Sequence, residues 1–267
     1  MTNSVPFFFG IPLRAKVASR NWDLVCSNLK RTLTSLAGQT ERRFRVLLAC
    51  HDVPDFLAEE PHLAAMVDVI DVSGDFGPAQ EVEQFNRDKA RKKRAIGAHL
   101  HKSDVEECYV MFFDADDLLH KRFVEWVLER DNKRGVLIPN GYIFNNATSG
   151  IALANEEIRP FYRQCGSCAV MYFQRGEFPK RFDDTRNHFS KFKAHTQFHE
   201  VAAEFGRPLE PMSEYVGLSM VNHGENNRIY KGEGWRREKY VLRHIVDSAD
   251  VRRTISQNFP AWPAANC

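Results

Sequence analysis

The stretch CYVMFFDADDLL, residues 108–119, decides the fold. Its apolar run carries aromatic side chains and a β-branched valine, which predicts a strand buried on both faces, hence a parallel strand of an α/β sheet. Three acids in four positions follow directly: Asp114, Asp116 and Asp117. Open α/β sheets bind their ligands outside the carboxyl ends of their strands. We therefore expect these acids to lie at a functional site.

A divalent cation is the ligand that best explains three clustered acids. Carboxylates so close together repel one another, and their hard oxygen atoms suit Mg²⁺ or Mn²⁺. A cation held by Asp114, Asp116 and Asp117 could neutralise a diphosphate leaving group. The alternative is an acidic helix N-terminus, since Asp is favoured at N-caps and in first turns. That alternative accounts for only one or two of the acids, so we favour the metal site.

The composition is that of a globular protein that folds in water. A chain of 267 residues fits one α/β domain with a substantial core. Its formal net charge of +2 gives no reason to expect nucleic acid as a partner.

The sequence shows neither a signal peptide nor an apolar stretch near the ~20 residues that span a bilayer. We therefore predict a cytoplasmic protein whose six cysteines are reduced thiols. The basic run from Lys89 to Arg94 is either a solvated helix face or a patch for phosphate or acidic lipid head groups. In the second case the protein would lie at the inner face of the membrane.

Cys165 and Cys168 form a Cys-x-x-Cys pair, which occurs in redox proteins and in zinc sites. A redox pair would open a helix early in a thioredoxin-like unit, whereas this pair precedes a predicted strand. No second Cys-x-x-Cys or His-x-x-His completes a tetrahedral zinc set. We interpret the spacing as a structural coincidence.

Strands and helices alternate along the first half of the chain. Apolar runs predict strands over residues 6–13, 44–50, 67–72 and 108–113. An apolar stripe with helical spacing predicts a helix from residue 22 to Gly38, with Asn21 or Ser19 as its N-cap, and the basic run belongs to another helix before the acids. This alternation predicts βαβ units and a doubly wound, mostly parallel sheet flanked by helices.

The second half has a different pattern. Strands are predicted over residues 135–139, 142–144 and 169–173, with a polar connection over 145–164. Helices are predicted over 195–205 and 237–247, a loop-rich segment over 206–228, and an irregular tail from residue 258.

Several motifs together resemble the family-2-like GT-A glycosyltransferases, which act with inversion. They are SLAGQT at 35–40, His-Asp at 51–52, the basic helix, Asp-Ala-Asp-Asp at 114–117, Gly-Ser at 166–167 and His-Gly-Glu-Asn at 223–226. IPLR at 11–14, with SLAGQT, is also similar to bacterial proteins of the rhamnosyltransferase type. The resemblance implies one GT-A-like domain over 1–267, with a nucleotide-sugar-binding half at 1–120, an acceptor-side half at 121–257 and an irregular tail at 258–267.

The resemblance implies a nucleoside-diphosphate sugar as donor and Mn²⁺ or Mg²⁺ as cofactor. Asp114 would contact the ribose or the metal, and Asp116, with Asp117, would coordinate the cation that bridges the two phosphates. Asp52 would contact the nucleobase; its alternative role is that of a turn residue. Arg94, or a neighbour in the basic run, would contact the nucleotide, and the alternative is again a solvated helix.

His223 is a candidate ligand of the metal or the diphosphate. Imidazole binds Mn²⁺ and, when charged, donates to phosphate. Gly224 gives the backbone freedom for a close approach, and Arg228 and Lys231 follow, as a loop over phosphates would need. The alternative is a surface histidine.

The general base stays open. The family often carries Glu-Asp at the start of a late helix, and the equivalent helix here has none. His195 lies nearest that position, and its ordinary pKa, about 6.5, suits a base at neutral pH. Asp183 and Asp184 are the other candidates, and their alternative role is that of solvated turn residues.

These observations predict a metal-dependent glycosyltransferase of surface glycan synthesis, moving a sugar to a hydroxyl of a glycan or lipid-linked glycan acceptor. A sugar-phosphate nucleotidyltransferase is one alternative, but that class opens with a Gly-rich loop, and GIPLR at 10–14 has one glycine. A non-catalytic nucleotide-binding module is the other, supported only by the missing Glu-Asp. The oligomeric state is left open.

Overall fold

The structure, a computed structural model, describes residues 5–262. The strands are β1 (Phe7–Pro12), β2 (Phe44–Cys50), β3 (Val67–Asp71), β4 (Glu107–Phe112), β5 (Leu118–Leu119), β6 (Gly135–Leu137), β7 (Gly141–Asn145), β8 (Gly150–Ala154), β9 (Ala169–Gln174), β10 (Glu210–Pro211) and β11 (Gly217–Val221). The helices are α1 (Trp22–Ala37), α2 (Phe56–Glu59), α3 (Pro61–Ala64), α4 (Phe85–Lys102), α5 (Phe123–Arg130), α6 (Phe198–Glu204), α7 (Asn227–Tyr230), α8 (Gly234–Arg243) and α9 (Ala249–Asn258). Single 3₁₀ turns lie at Lys16–Ala18, Val82–Gln84, Phe161–Arg163, Arg175–Glu177, Phe189–Lys191 and His195–Gln197.

A seven-stranded, mostly parallel sheet forms the centre of the fold, in the order β10-β6-β9-β4-β1-β2-β3. β4, β1, β2 and β3 run parallel, whereas β9 is antiparallel to both of its neighbours. The four parallel strands come from the first half of the chain, and β6, β9 and β10 come from the second. One sheet therefore joins the two predicted halves.

β1 and β4 end at the same edge of this sheet. Their register pairs Phe9 with Met111 and Gly10 with Phe112. Gly10 lets α4 approach closely, because a Cβ atom at this position would lie 3.2 Å from the Ile96 side chain. The loop after β1, the start of α4 and the acids after β4 are thereby brought to one place.

A second sheet of four strands, ordered β5-β11-β7-β8, lies beyond the acids. β5 follows the acids directly and pairs antiparallel with β11, which pairs parallel with β7. The acidic turn after β4 therefore links the two sheets: the strand before it belongs to the first sheet and the strand after it to the second.

The SLAGQT segment fastens the chain after the acids to the end of α1. The Ser35 hydroxyl accepts the backbone N–H of Leu119, at 3.3 Å. The Gln39 amide donates to the carbonyl of His120 at 2.9 Å and accepts the backbone N–H of Val124 at 3.1 Å. The motif thus has a structural role: it sets the path of the chain just beyond the acids.

The structure confirms an α/β fold with a large, mostly parallel sheet flanked by helices. Each strand predicted from an apolar run exists, and Asn21 caps α1 as expected, accepting the backbone N–H of Leu24. Two predictions for the second half are wrong. The polar connection over 145–164 contains β8, and the loop-rich segment over 206–228 contains β10 and the buried strand β11. Both β8 and β11 are only five residues long and owe their conformation to neighbouring strands.

The helices of the C-terminal part differ from the prediction as well. The helix predicted over 237–247 begins earlier, at Gly234, and ends at Arg243. α9 was not predicted, and it ends at Asn258, the first residue of the tail predicted to be irregular. Residues 259–262 lie in no helix or strand, as expected, and residues 263–267 lie outside the described residues. Among residues 5–262, no helix has the length and apolar character needed to cross a membrane.

Candidate functional site

A cleft of about 740 Å³ opens at the carboxyl ends of β1 and β4. Its walls come from the loop after β1, the start of α4, the acidic turn, residues 164–166, residues 193–195 and residues 219–228. Asp114, Asp116 and Asp117 all line it. Parallel strands place their carboxyl ends at one edge of a sheet, so segments far apart in sequence meet here.

Asp114 forms an ion pair with Lys89 of α4. Its backbone N–H donates to the Ser167 hydroxyl at 2.8 Å, and its Oδ2 atom lies so close to Gly166 that a Cβ there would be 2.7 Å away. Burial alone would raise the pKa of Asp114, but Lys89, Lys93 and His195 together outweigh it and hold that pKa below its usual range. Asp114 is therefore an ionised carboxylate at the cleft wall.

Asp116 is held by His223 and Asn226. The Nε2 atom of His223 lies 2.7 Å from Oδ2 of Asp116, and the Asn226 amide donates to the same oxygen at 3.0 Å. Within residues 5–262, the Oδ1 atom of Asp116 has no hydrogen-bond partner. One oxygen of this acid is thus positioned by the protein, and the other is available to a ligand.

Asp117 differs from the other two acids because its carboxyl group is turned into the protein and only 3% of the residue is exposed. Its Oδ2 atom accepts the Ser167 hydroxyl at 2.7 Å and the Cys165 thiol at 2.9 Å, and its Oδ1 atom accepts the Met220 N–H at 3.3 Å. Burial and the charges of Asp116 and Asp114 raise its pKa to about 8. Asp117 therefore ties three segments together, and its predicted contact with a metal stays a prediction.

The segment carrying His223 is fixed to the loop after β1. Glu225, almost fully buried, accepts the Arg14 guanidinium at 3.2 Å, the backbone N–H of Asn21 at 2.9 Å and the Tyr230 hydroxyl at 2.6 Å. Gly224 has φ +98°, the left-handed conformation for which glycine is suited. The structure thus gives Gly224 the conformational role expected of it.

The two cations predicted to follow His223 have different positions. Arg228 lines the cleft and lies 3.4 Å from Glu233. Lys231 is exposed and is not part of the cleft wall. Of the predicted loop over phosphates, only Arg228 is in place.

The basic helix presents different residues to the cleft from those expected. Lys89 and Lys93, four residues apart on one face of α4, line it. Arg94 is turned away and donates to a backbone carbonyl outside the cleft. Lys92 is fully buried and donates to the carbonyl of Leu13 at 2.6 Å, so a solvated helix face is wrong for this part of the run. Arg94 therefore does not line the cleft, whereas its neighbours Lys89 and Lys93 do, and a nucleotide contact by the basic run stays a prediction.

The three candidates for the base are separated. His195 lines the cleft, whereas Asp183 and Asp184 do not. Asp183 pairs with Arg181 at 3.3 Å, and Asp184 accepts the backbone N–H of Arg186 at 3.1 Å, as turn residues do. Burial lowers the pKa of His195 to about 4, so its imidazole is neutral and can accept a proton.

Asp52 does not line the cleft. Its Oδ2 atom accepts the backbone N–H of Lys16 at 2.8 Å and thereby holds the loop after β1. The structure thus places Asp52 in its alternative role, as a turn residue.

Three residues at the cleft were not predicted to function there. Asn28 of α1 donates to the Nδ1 atom of His223 at 3.1 Å, Cys165 donates to Asp117, and Arg237 of α8 lines the wall. The five described cysteines are free thiols, and Cys267 lies outside the described residues. The Cys-x-x-Cys spacing is thus no disulfide, but Cys165 does contact the acidic cluster.

No three His, Cys, Asp or Glu side chains in residues 5–262 are arranged to hold a metal ion by themselves. Comparison of the chain with protein-family models and with curated proteins gives no match. The chemistry of the cleft therefore follows from its side chains: the two carboxylates Asp114 and Asp116 at a strand end, several lysines and arginines around them, and the neutral imidazole of His195.

Proposed function

We propose that the protein is a metal-dependent glycosyltransferase of the GT-A type, moving a sugar from a nucleoside-diphosphate sugar to a hydroxyl acceptor with inversion. One observation carries the proposal: Asp114 and Asp116 lie at the carboxyl end of a buried parallel strand, on the wall of a cleft of about 740 Å³. That volume suits a ligand of nucleotide-sugar size. The basic residues Lys89 and Arg228 on the same wall suit its phosphates.

Asp114 and Asp116 would hold the Mn²⁺ or Mg²⁺ ion. Mg²⁺ is commonly bound by one or two carboxylates together with substrate phosphates and water, so a complete protein cage is not needed. When bound, the ion would neutralise the charge that develops on the departing diphosphate. His223 keeps Asp116 in place through Oδ2 and leaves Oδ1 free, which fits this donor set.

His195 is the residue we assign to the proton of the acceptor hydroxyl. It lines the cleft near Asp114, and its imidazole is unprotonated at neutral pH, as a proton acceptor must be. Inverting transfer needs a proton acceptor on the face of the sugar opposite the diphosphate. Asp183 and Asp184 lie outside the cleft wall, which favours His195 over them.

The nucleotidyltransferase alternative has less support. Gly10 lies within β1, where it makes room for Ile96, and the loop that follows β1 has no glycine before Arg14. A Gly-rich phosphate loop is therefore missing from the place where that class carries it.

The test is release of nucleoside diphosphate. The protein is incubated with UDP-, GDP- or dTDP-sugars, Mn²⁺ and glycan or lipid-linked glycan acceptors, and free nucleoside diphosphate is measured. We expect acceptor-stimulated release that EDTA abolishes. Pyrophosphate-dependent formation of nucleoside triphosphate would identify a nucleotidyltransferase instead, and tight binding without release of any product would identify a binding module.

A further inference from the structure

Lys93 is a buried cation at the cleft without a counter-ion. Only 8% of the residue is exposed, and its ammonium lies 4.2 Å from the ring centre of Phe112 and 5.1 Å from that of Phe198. Within residues 5–262 it forms no hydrogen bond and no ion pair. Burying a charge that has no ion-pair partner is costly, and burial together with Lys89 lowers the pKa of Lys93 to about 7, against the opposing effect of the Asp114 carboxylate.

Arg237 is a second buried cation on the same wall. It is 9% exposed, and its guanidinium donates only to the side chain and the carbonyl of Gln164, which are neutral. No carboxylate of the described residues forms an ion pair with it. Burial and Arg228 lower its pKa to about 10.

Lys93, Arg237 and His195 all line the cleft. Burial is the main cause of the low pKa of His195, and the positive charges of Lys89, Lys93 and Arg237 lower it further, against the opposing effect of Asp114. Lys89 has its own carboxylate partner in Asp114. The two cations that form no ion pair, Lys93 and Arg237, line the same cleft as His195.

The donor does not account for these two cations. A nucleotide sugar brings two negative charges on its diphosphate, and Asp114 and Asp116 add two more. A divalent cation together with Lys89 and Arg228 balances these four charges without Lys93 or Arg237. An excess of positive charge is left beside the residue assigned to deprotonate the acceptor. Cationic clefts attract anionic substrates and raise their local concentration.

We propose that Lys93 and Arg237 form a subsite for an anionic group of the acceptor, a carboxylate or a phosphate. That the anionic group belongs to the acceptor rests on the proposed function, whereas the binding of an anion by Lys93 and Arg237 does not. The aromatic rings of Phe112 and Phe198 cover part of the Lys93 ammonium, so an anion that enters the cleft forms charge-assisted hydrogen bonds with it in a partly desolvated site.

The experiment uses the full chain without metal or nucleotide. Methyl glucuronide, methyl phosphate and the uncharged methyl glucoside are titrated in ligand-observed NMR; the first two distinguish a carboxylate from a phosphate. We expect at least one anion to bind about tenfold or more tightly than methyl glucoside. Lys93→Met, which keeps the length and apolar stem of the side chain, should abolish this preference, whereas Lys191→Met, at an exposed lysine outside the cleft, should keep it.

A second measurement uses the wild-type protein, so its result does not depend on whether the Lys93→Met variant folds. Acetylation of Lys93 by a trace of acetic anhydride, followed by mass spectrometry, should fall several-fold when the preferred anion is present, and acetylation of Lys191 should not change. Equal binding of anions and methyl glucoside, or no protection of Lys93, would overturn the subsite. So would loss of Mn²⁺-dependent UDP binding in a folded Lys93→Met protein, because Lys93 would then serve the donor.

The outcome is separable from that of the proposed function. A wild-type protein that binds no UDP with Mn²⁺, yet prefers an anion through Lys93, would refute the glycosyltransferase and leave the anion subsite standing.

Discussion

The Nε2 atom of His223 lies 2.7 Å from the Oδ2 atom of Asp116, although the two residues are 107 positions apart. Asn28 donates to the Nδ1 atom of the same ring at 3.1 Å, and the Asn226 amide nitrogen lies 2.8 Å from its Nε2 atom, so the ring is held at both nitrogens. A chain from α1 through the imidazole therefore sets the orientation of one acid. Contacts of this kind orient metal ligands in proteins. Asp116 and His223 can therefore each be tested by substitution.

Asp116→Asn should remove Mn²⁺-dependent binding of nucleoside diphosphate. Asparagine keeps the size of the side chain but not the charge that attracts a cation, so we expect UDP affinity in Mn²⁺ to fall to its metal-free value. The melting temperature of the metal-free protein should not fall, since one of three clustered acids is neutralised. Calorimetric titration with and without Mn²⁺ measures this. The exposed Asp104→Asn serves as control, and unaltered Mn²⁺ stimulation in Asp116→Asn would refute the metal assignment.

His223→Ala should weaken binding of UDP much more than binding of uridine. The imidazole acts on the diphosphate side, either through Asp116 or by direct contact, and it has no assigned role toward the base or ribose. We expect a loss of about tenfold for UDP, which corresponds to one hydrogen bond to a charged group. The exposed His62→Ala is the matched control. Equal losses for UDP and uridine would return His223 to a structural role.

Gly166→Ala should disturb Asp114 without unfolding the protein. The new Cβ atom would lie 2.7 Å from Oδ2 of Asp114, the mobile end of a side chain, so the carboxylate moves and the backbone does not. We expect weaker Mn²⁺-dependent UDP binding and a melting temperature within a few degrees of the wild type. Gly176→Ala is the control, because nothing lies within 4 Å of its added carbon. Unchanged metal dependence in Gly166→Ala would show that the Asp114 position is not critical.

The acids could be predicted because the signal is local. An apolar run long enough for a buried strand, followed by three carboxylates, places them at the carboxyl edge of the sheet regardless of the rest of the chain. His223 was found through its neighbours in the His-Gly-Glu-Asn segment, and the structure brings it to Asp116. β11, which supports Asp117, was missed, because a five-residue strand shows no periodicity of its own.

Roles set by long-range contacts could not be predicted. Nothing in the sequence separates Asp117, which faces the protein, from Asp116, which faces the cleft; the difference arises from Ser167 and Met220, distant in sequence. In the same way, Lys93 and Arg94 are neighbours in one basic run, yet only Lys93 lines the cleft. Which of the two residues lines the cleft depends on how α4 is rotated about its axis against the sheet. The composition of the basic run does not determine that rotation.

Asp117 should make the metal-free protein less stable as the pH rises. Its pKa is raised to about 8 in the folded protein and is about 3.9 in an unfolded chain. Between these values the folded state binds more protons, so this group lowers the free energy of unfolding as pH increases from 4 to 8. Asp117→Asn removes the part of the pH dependence of the free energy of unfolding that comes from this carboxyl group. Urea unfolding in EDTA at pH 5 and pH 8 should show a larger loss for the wild type than for the variant.

The comparison isolates one carboxyl group, because every other titrating residue is common to both proteins. Asp250→Asn, at an exposed acid on α9, should retain the wild-type difference between the two pH values. Equal losses for wild type and Asp117→Asn would show that Asp117 is ionised at neutral pH, and would favour it as a third metal ligand.

His195→Ala should lower turnover at unchanged donor affinity. A positioned general base typically contributes about 10²–10⁴-fold to a rate, and His195 is the predicted base that lines the cleft. Asp183→Ala and Asp184→Ala, whose carboxylates lie in a turn outside the cleft wall, should keep near-normal turnover and serve as matched controls. Nucleotide release and UDP binding are measured for all three variants.

The pH dependence of turnover tests His195 independently of its substitution. A base must be unprotonated, and the kcat/KM profile reports the pKa of the free enzyme. Because burial lowers the pKa of His195 to about 4, protonation of His195 should give no acid limb in kcat/KM above pH 5, and the loss due to this residue should begin only as the pH approaches 4. An acid limb near pH 6.5 would instead indicate an imidazole with an ordinary pKa, and near-normal turnover in His195→Ala would place the base on another segment of the cleft wall.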